Sequence, residues 1–263
     1  MEINLTVNTA YTISVYILLV STFVSTLELS SIPALYLDFV YPSIKVKNKY
    51  SRWRVFNYVL LSLVLLAFLF FSFGEIKYFK ITFLLITGGV FYLYKVRTVS
   101  KDGADQMRLL ALLSFSLCFL VENEKGMLLS VVFVGAQVLI AYATSGIAKL
   151  LSPSWRKGNL LSGILSTYSY GIPGISLFLK KHPVIEKLAS HSAIITMILV
   201  PVCFFIPQPE FIYISLCCIF LFHFSTAVLM GLNDFLLTFP LTYPGVLILH
   251  GIVHGYLTVG QLL

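Results

Sequence analysis

The chain alternates long apolar runs with short basic connections, and that pattern leaves very few folds open. A run of about 20 apolar residues matches the ~30 Å hydrocarbon core of a bilayer. Eight such runs lie near 7–27, 55–73, 78–94, 109–121, 127–147, 189–206, 211–232 and 243–263. Lipid cannot satisfy a free backbone N–H or C=O, so each run that crosses must be a helix. The expected fold class is therefore all-α, a polytopic integral membrane helical bundle of about eight spans, in the range of roughly seven to nine. Composition closes the alternative. Only 11% of the residues are charged and 58% are hydrophobic, with a mean hydropathy of +0.92. A water-soluble domain carries about 25% charged residues. The third and fourth runs are short, which predicts half-embedded elements buried against other helices. The stretch 159–179 is mildly apolar, rich in Ser, Tyr and Gly, and interrupted by Pro173. It reads as an interfacial or re-entrant segment.

The net charge of +7 invites the thought of an anionic partner, but the positions of the charges give another reason for it. With eight spans, alternate connections hold Lys45, Lys47, Lys49, Arg52 and Arg54, then Lys95, Arg97, Lys101 and Arg108, then Lys149, Arg156, Lys157, Lys180, Lys181 and Lys187. These are 15 of the 18 Lys and Arg; the opposite side holds Lys77, Lys80 and Lys125. Such asymmetry follows the positive-inside rule, and it puts both termini on the non-cytoplasmic side. The basic balance then records topology and contact with anionic lipid, with no nucleic-acid binding implied. Residues 1–8 have no basic stretch and no cleavage site follows, so the first run is expected to stay in the mature protein. The sequon at Asn4 matters only where a glycosylation machinery meets it. Cys118, Cys203, Cys217 and Cys218 all sit in apolar runs without metal-ligand spacing, which reads as buried, inert thiols.

A polar side chain inside a span is costly and so a functional candidate. The fifth run ends in Tyr142, Ser145 and Lys149, which share one helix face. A lysine in a dry pocket can serve as a base, whereas a lysine at a helix C-terminus can equally snorkel to the headgroups. The seventh run carries His223, Ser225 and Thr226, followed by Gly231, Asn233 and Asp234. His223 reads either as a proton relay or as interhelical glue. His250 and His254 lie one turn apart in the last run. That spacing suits a metal, but a metal site needs further ligands, and no Glu follows His250. Gly251 and Gly255 form a GxxxG pattern, which predicts close helix packing. Glu28 closes the first run and Asp105 opens the fourth; an acid near a helix N-terminus is a candidate acid or simply a dipole partner.

Three stretches together resemble a known family. Ser145-Gly-Ile-Ala-Lys149-Leu followed by Trp155 and Gly158 is similar to a motif in the membrane domain of vitamin K-dependent gamma-carboxylase and its bacterial relatives, the horizontally transferred transmembrane (HTTM) proteins. Asp102-Gly-Ala-Asp105-Gln106 resembles the Gly- and Asp-rich start of that family's fourth span. Phe222-His223-Phe224, then Met230-Gly-Leu-Asn233-Asp-Phe and Tyr243-Pro244, is similar to its His-containing late span. The resemblance implies one HTTM-like transmembrane domain over 1–263 in a bacterial inner or plasma membrane. It implies Lys149 as general base, with Asp105, Tyr142 and His223 orienting groups or relaying protons. Trp155, Gly158 and Asn233 would contact a cofactor, for which a quinone in its hydroquinone form is the candidate. The implied partners are a small secreted peptide and a second maturation protein. The chain departs from the carboxylase in three ways: Ala148 stands where that enzyme has a second lysine, no histidine opens the fourth span, and no large extramembrane domain is present. Short bacterial members that mature secreted peptide toxins are the closer comparison. The departures keep open a non-catalytic reading, an accessory, export or immunity subunit.

Overall fold

The computed structural model describes residues 5–33, 36–42, 49–99, 101–121, 123–167 and 172–258. The sequon at Asn4, Lys45, Lys47 and the end of the eighth run lie outside them. The described residues form α1 (Val7–Ser30), α2 (Leu37–Val40), α3 (Lys49–Ser72), α4 (Ile76–Val96), α5 (Gly103–Cys118), α6 (Glu124–Leu151), α7 (Pro153–Lys157), α8 (Leu161–Ile164), α9 (Pro173–Lys181), α10 (Pro183–Phe204), α11 (Pro209–Met230), α12 (Asn233–Thr238) and α13 (Tyr243–Val253). No strand occurs among the described residues. Seven stretches are helical, long and apolar enough to cross a membrane: α1, α3, α4, α6, α10, α11 and the run from Asn233 to Val253. The protein is thus an all-α, multi-pass membrane protein. Many large apolar side chains, among them Leu69, Leu84, Ile195 and Leu221, point outward, where water would penalise them and lipid does not.

Contacts divide the chain into two compact units, Thr6–Val134 and Gly135–Leu262, with the boundary falling inside α6. The first is an up-and-down bundle of α1, α3, α4 and α5. Its side-chain pairs give the directions. Tyr11 meets Phe115 and Tyr16 meets Phe68, so α1 runs against both α5 and α3. Phe56 meets Tyr92 and Phe71 meets Phe79, so α3 and α4 are antiparallel. At 16 residues α5 is about 24 Å long, short for a span. It nevertheless packs along most of α4. Asp105 pairs with Arg97, Thr87 lies 2.9 Å from Ser116, and Phe119 packs on Phe79 and Phe83. α5 is not among the seven helices long enough to cross and is packed along α4, the kind of short, buried element expected of the fourth run, whereas the third run, also read as short, is a full-length helix of 21 residues. One end of the bundle collects Arg52, Arg54, Lys95, Arg97, Lys101 and Arg108, and the other holds Lys77 and Lys80.

In the second unit the stretch 159–179 forms no span. It contributes α8 and the start of α9, each too short to cross. The last span is displaced from its expected position, 243–263. It starts at Asn233, continues through a single 3-10 turn at Pro240–Thr242, and α13 ends at Val253. Proline at the first turns of both pieces is tolerated because those N–H groups have no helical acceptor.

The GxxxG expectation at Gly251 and Gly255 is overturned. Gly255 has φ +73°, and the N–H groups of Tyr256 and Leu257 return to the Gly251 carbonyl at 2.8 and 3.0 Å. The pattern is a helix stop, and Gly251 leaves room for the returning Leu257. Close helix approach occurs elsewhere: a Cβ on Gly135 of α6 would lie 2.4 Å from the backbone of Gly245 in α13. Gly135→Ala should therefore cost about 1–3 kcal/mol. Gly88→Ala, at an exposed helical position with nothing within 4 Å, should be neutral or mildly stabilising. Thermal unfolding of the two variants in the same detergent checks the contrast.

Candidate functional site

The second unit brings together two residues singled out by sequence, Tyr142 and His223. α6 carries Tyr142 and α11 carries His223, and the Tyr142 hydroxyl lies 3.0 Å from His223 Nε2. Both are buried, at 2% and 1% exposure. The imidazole stacks on Phe239 at 4.5 Å, with Phe235 and Phe222 at 5.7 and 5.5 Å. His223 Nδ1 has no partner, while the buried hydroxyl of Tyr243 lies within interaction range of the Tyr142 hydroxyl. A hydrogen-bonded pair, a second phenol beside it and one unpaired ring nitrogen thus sit inside an aromatic shell where α6, α11, α12 and α13 meet. Tyr243-Pro244 was noted in the sequence together with the His223 segment, but nothing there marked Phe239 as a neighbour of His223.

Lys149 lies two turns beyond Tyr142 on the same face of α6, about 10.5 Å along the axis. It is half-buried, and its Nζ stands 5.4 Å over the Trp155 ring. α6 ends at Leu151, and Pro153 opens α7, which turns Trp155 back toward the lysine. α10 holds this turn in place. His191 Nε2 bonds the Arg156 carbonyl at 3.0 Å, and a Cβ on Gly158 would lie 2.8 Å from Lys187 Cα. Gly158 also has φ +73°, so it serves the turn and the close approach together. Buried Glu186 accepts the Ser162 N–H at 2.8 Å, and the Ser176 hydroxyl donates to the Ser162 carbonyl at 2.7 Å. Asn233 is exposed and opens α12.

Asp105 belongs to the first unit. Its oxygens accept from Arg97 and, at 2.6 Å, from Arg108, and it also closes a capping box with Asp102 at the start of α5. All three charged side chains are buried. Tyr41 beside them is desolvated, which raises its phenol well above the ordinary range, against the opposing pull of Arg97. The sequence reading counted Arg97 and Arg108 only as topology charges. The spacing of three between Asp105 and Arg108 was the available signal.

The paired histidines have a structural use. His250 Nε2 donates to the Ile206 carbonyl and His254 Nε2 to the Phe204 carbonyl, each at 2.9 Å. They satisfy acceptors where α10 ends. Among the described residues no three His, Cys, Asp or Glu converge in a way that could hold a metal. Cys118 and Cys203 are buried as expected, but Cys217 is exposed and Cys218 half-buried, because adjacent helical positions face different ways. No protein-family model matches the sequence, and no curated protein or solved structure matches it either.

Two stability outcomes follow. In a double-mutant cycle of Tyr142→Phe and His223→Phe, followed by chemical unfolding in detergent, the pair should couple by about 0.6–1.7 kcal/mol. Asp105→Ala leaves two buried guanidiniums facing each other and should cost about 3–5 kcal/mol, read in the same assay.

Proposed function

We propose that this chain is a membrane-embedded maturation protein of the HTTM type, related to the membrane domain of vitamin K-dependent gamma-carboxylase. It acts on a small secreted peptide at a bacterial plasma membrane, together with a second maturation protein. Lys149 takes a proton from the substrate. The observation that carries this reading is the amine of Lys149 standing over Trp155, since these two residues belong to the motif that carries the resemblance. Trp155 fixes the direction of the amine, and α10 fixes Trp155 through Arg156 and Gly158. Tyr142 and His223 are enclosed and cannot touch a substrate in this conformation. They set the helix face from which Lys149 projects, or pass its proton inward.

The resemblance also implies a hydroquinone, which Trp155, Gly158 and Asn233 would contact and which would supply reducing electrons. The aromatic shell around His223 is already filled by its own rings, Phe239 stacking on Tyr142, His223 and Phe235, so the cofactor belongs on the Lys149 side of it.

A second reading, a non-catalytic accessory or immunity subunit, has its own support. Asp105 is held by two arginines, and Tyr142 and His223 hold each other, so three candidate residues already have structural partners. Lys149→Ala and Lys149→Arg, each in cells making the mature peptide and at matched protein levels, separate the two. Loss of a general base lowers the rate about 10²–10⁴-fold, and arginine does not replace it. Full product from Lys149→Ala, with a stoichiometric partner co-purifying, favours the accessory reading.

A further inference from the structure

In the second unit α6 ends at Leu151 and α10 begins at Pro183. Both helices are long and apolar enough to cross a membrane, so the connection between them lies at a bilayer boundary. Its last element, α9, runs into α10 through His182 alone. One face of α9 is spent on the protein. Ser176 and Leu179 are buried, and the Ser176 hydroxyl and the Glu186 carboxylate both hold the backbone of Ser162 beside α8. The opposite face is open: Leu177 and Phe178 are exposed there, with Lys180 and Lys181 next to them.

Two observations say what covers that face. The first is continuity. Val184, Leu188 and Ile195 share one stripe of α10 and are 69%, 66% and 61% exposed. Ile195 lies well inside the span, so this stripe carries the lipid-facing surface up to the end of the helix, where α9 joins it. The second is charge. Residues 152–187 hold Arg156, Lys157, Lys180, Lys181 and Lys187, all exposed. Glu186 is the one acid in that stretch, and it is buried against the Ser162 N–H. Exposed leucine and phenylalanine among lysines suit the headgroup layer. Apolar side chains reach the upper acyl chains there, and lysine stems lie along them with the ammonium at the phosphates. The excess of positive charge selects anionic lipid. An acidic soluble protein would answer the charge, but not an apolar stripe that runs on into the bilayer. We propose that α9 and the first turns of α10 form a binding surface for anionic lipid headgroups. Leu177, Phe178 and Leu188 insert beside the acyl chains, and Lys180 and Lys181 hold the headgroup phosphates. This surface does not depend on the maturation reading.

The test uses the full chain. In nanodiscs of phosphatidylcholine and phosphatidylglycerol, the fluorescence that Phe178→Trp adds over the parent should be quenched by lipids brominated high on the acyl chain and shielded from aqueous iodide. Leu177→Trp reports from the same face if Phe178→Trp does not fold. In micelles at fixed ionic strength, dihexanoyl phosphatidylglycerol should raise Tm saturably by about 5 °C or more relative to dihexanoyl phosphatidylcholine, and inorganic phosphate should not. Lys180→Gln combined with Lys181→Gln should raise the phosphatidylglycerol concentration needed about 25-fold, at about fivefold per lysine. Three results overturn the surface. Quenching by iodide but not by brominated lipid leaves the face to water or to a protein. An undiminished rise in the double variant puts the lipid on other basic connections. A rise with inorganic phosphate equal to that with phosphatidylglycerol makes the ligand a soluble anion.

Discussion

A helix in lipid has no water to satisfy the last carbonyls or first N–H groups of its backbone, and much of the local design of this chain answers that constraint. α10 ends on two imidazole donors from the last span, His250 and His254. α5 starts on the Asp102–Asp105 capping box. α7, α11 and α13 each stop at or just before a glycine with positive φ, at Gly158, Gly231 and Gly255. Residues that look like chemistry in a linear reading are thus partly spent on helix ends. The two histidines are the clearest case: their spacing of four suits a metal, and it suits equally well two carbonyls two residues apart.

The same constraint shapes the charged core. Buried Asp105 is costly unless paired, and the pairing comes from Arg97, outside α4 by one residue, and Arg108, one turn along α5. Asp105 therefore does two jobs, capping a helix and joining α4 to α5 across the connection. A buried pair of this kind contributes less to net stability than to fixing which helices pair and in what register.

The spans were legible because their signal is local: apolar length counts residue by residue, and the bilayer sets the count. Boundaries were less so. The last span began ten residues earlier than expected, at Asn233, through a 3-10 turn that proline at its first position does not interrupt. Lys149, Tyr142 and His223 were found from polarity inside apolar runs, and Tyr142 with His223 proved to be neighbours. The contact itself spans 81 positions and left no trace in the spacing. Arg97 and Arg108 were visible yet read as topology, because a charge near a span end serves both purposes and sequence does not separate them.

These two polar regions differ in what they can do. At Tyr142 and His223 the hydrogen-bonding groups are uncharged in pairing and walled by phenylalanines, so the surroundings favour a neutral hydrogen bond and a fixed geometry. At Arg97 the groups are formally charged, and two guanidiniums share one carboxylate. The first region is suited to holding helices in register beneath Lys149. The second is suited to fixing the end of α4 against the start of α5, because removing any one of the three side chains leaves a buried charge without its partner.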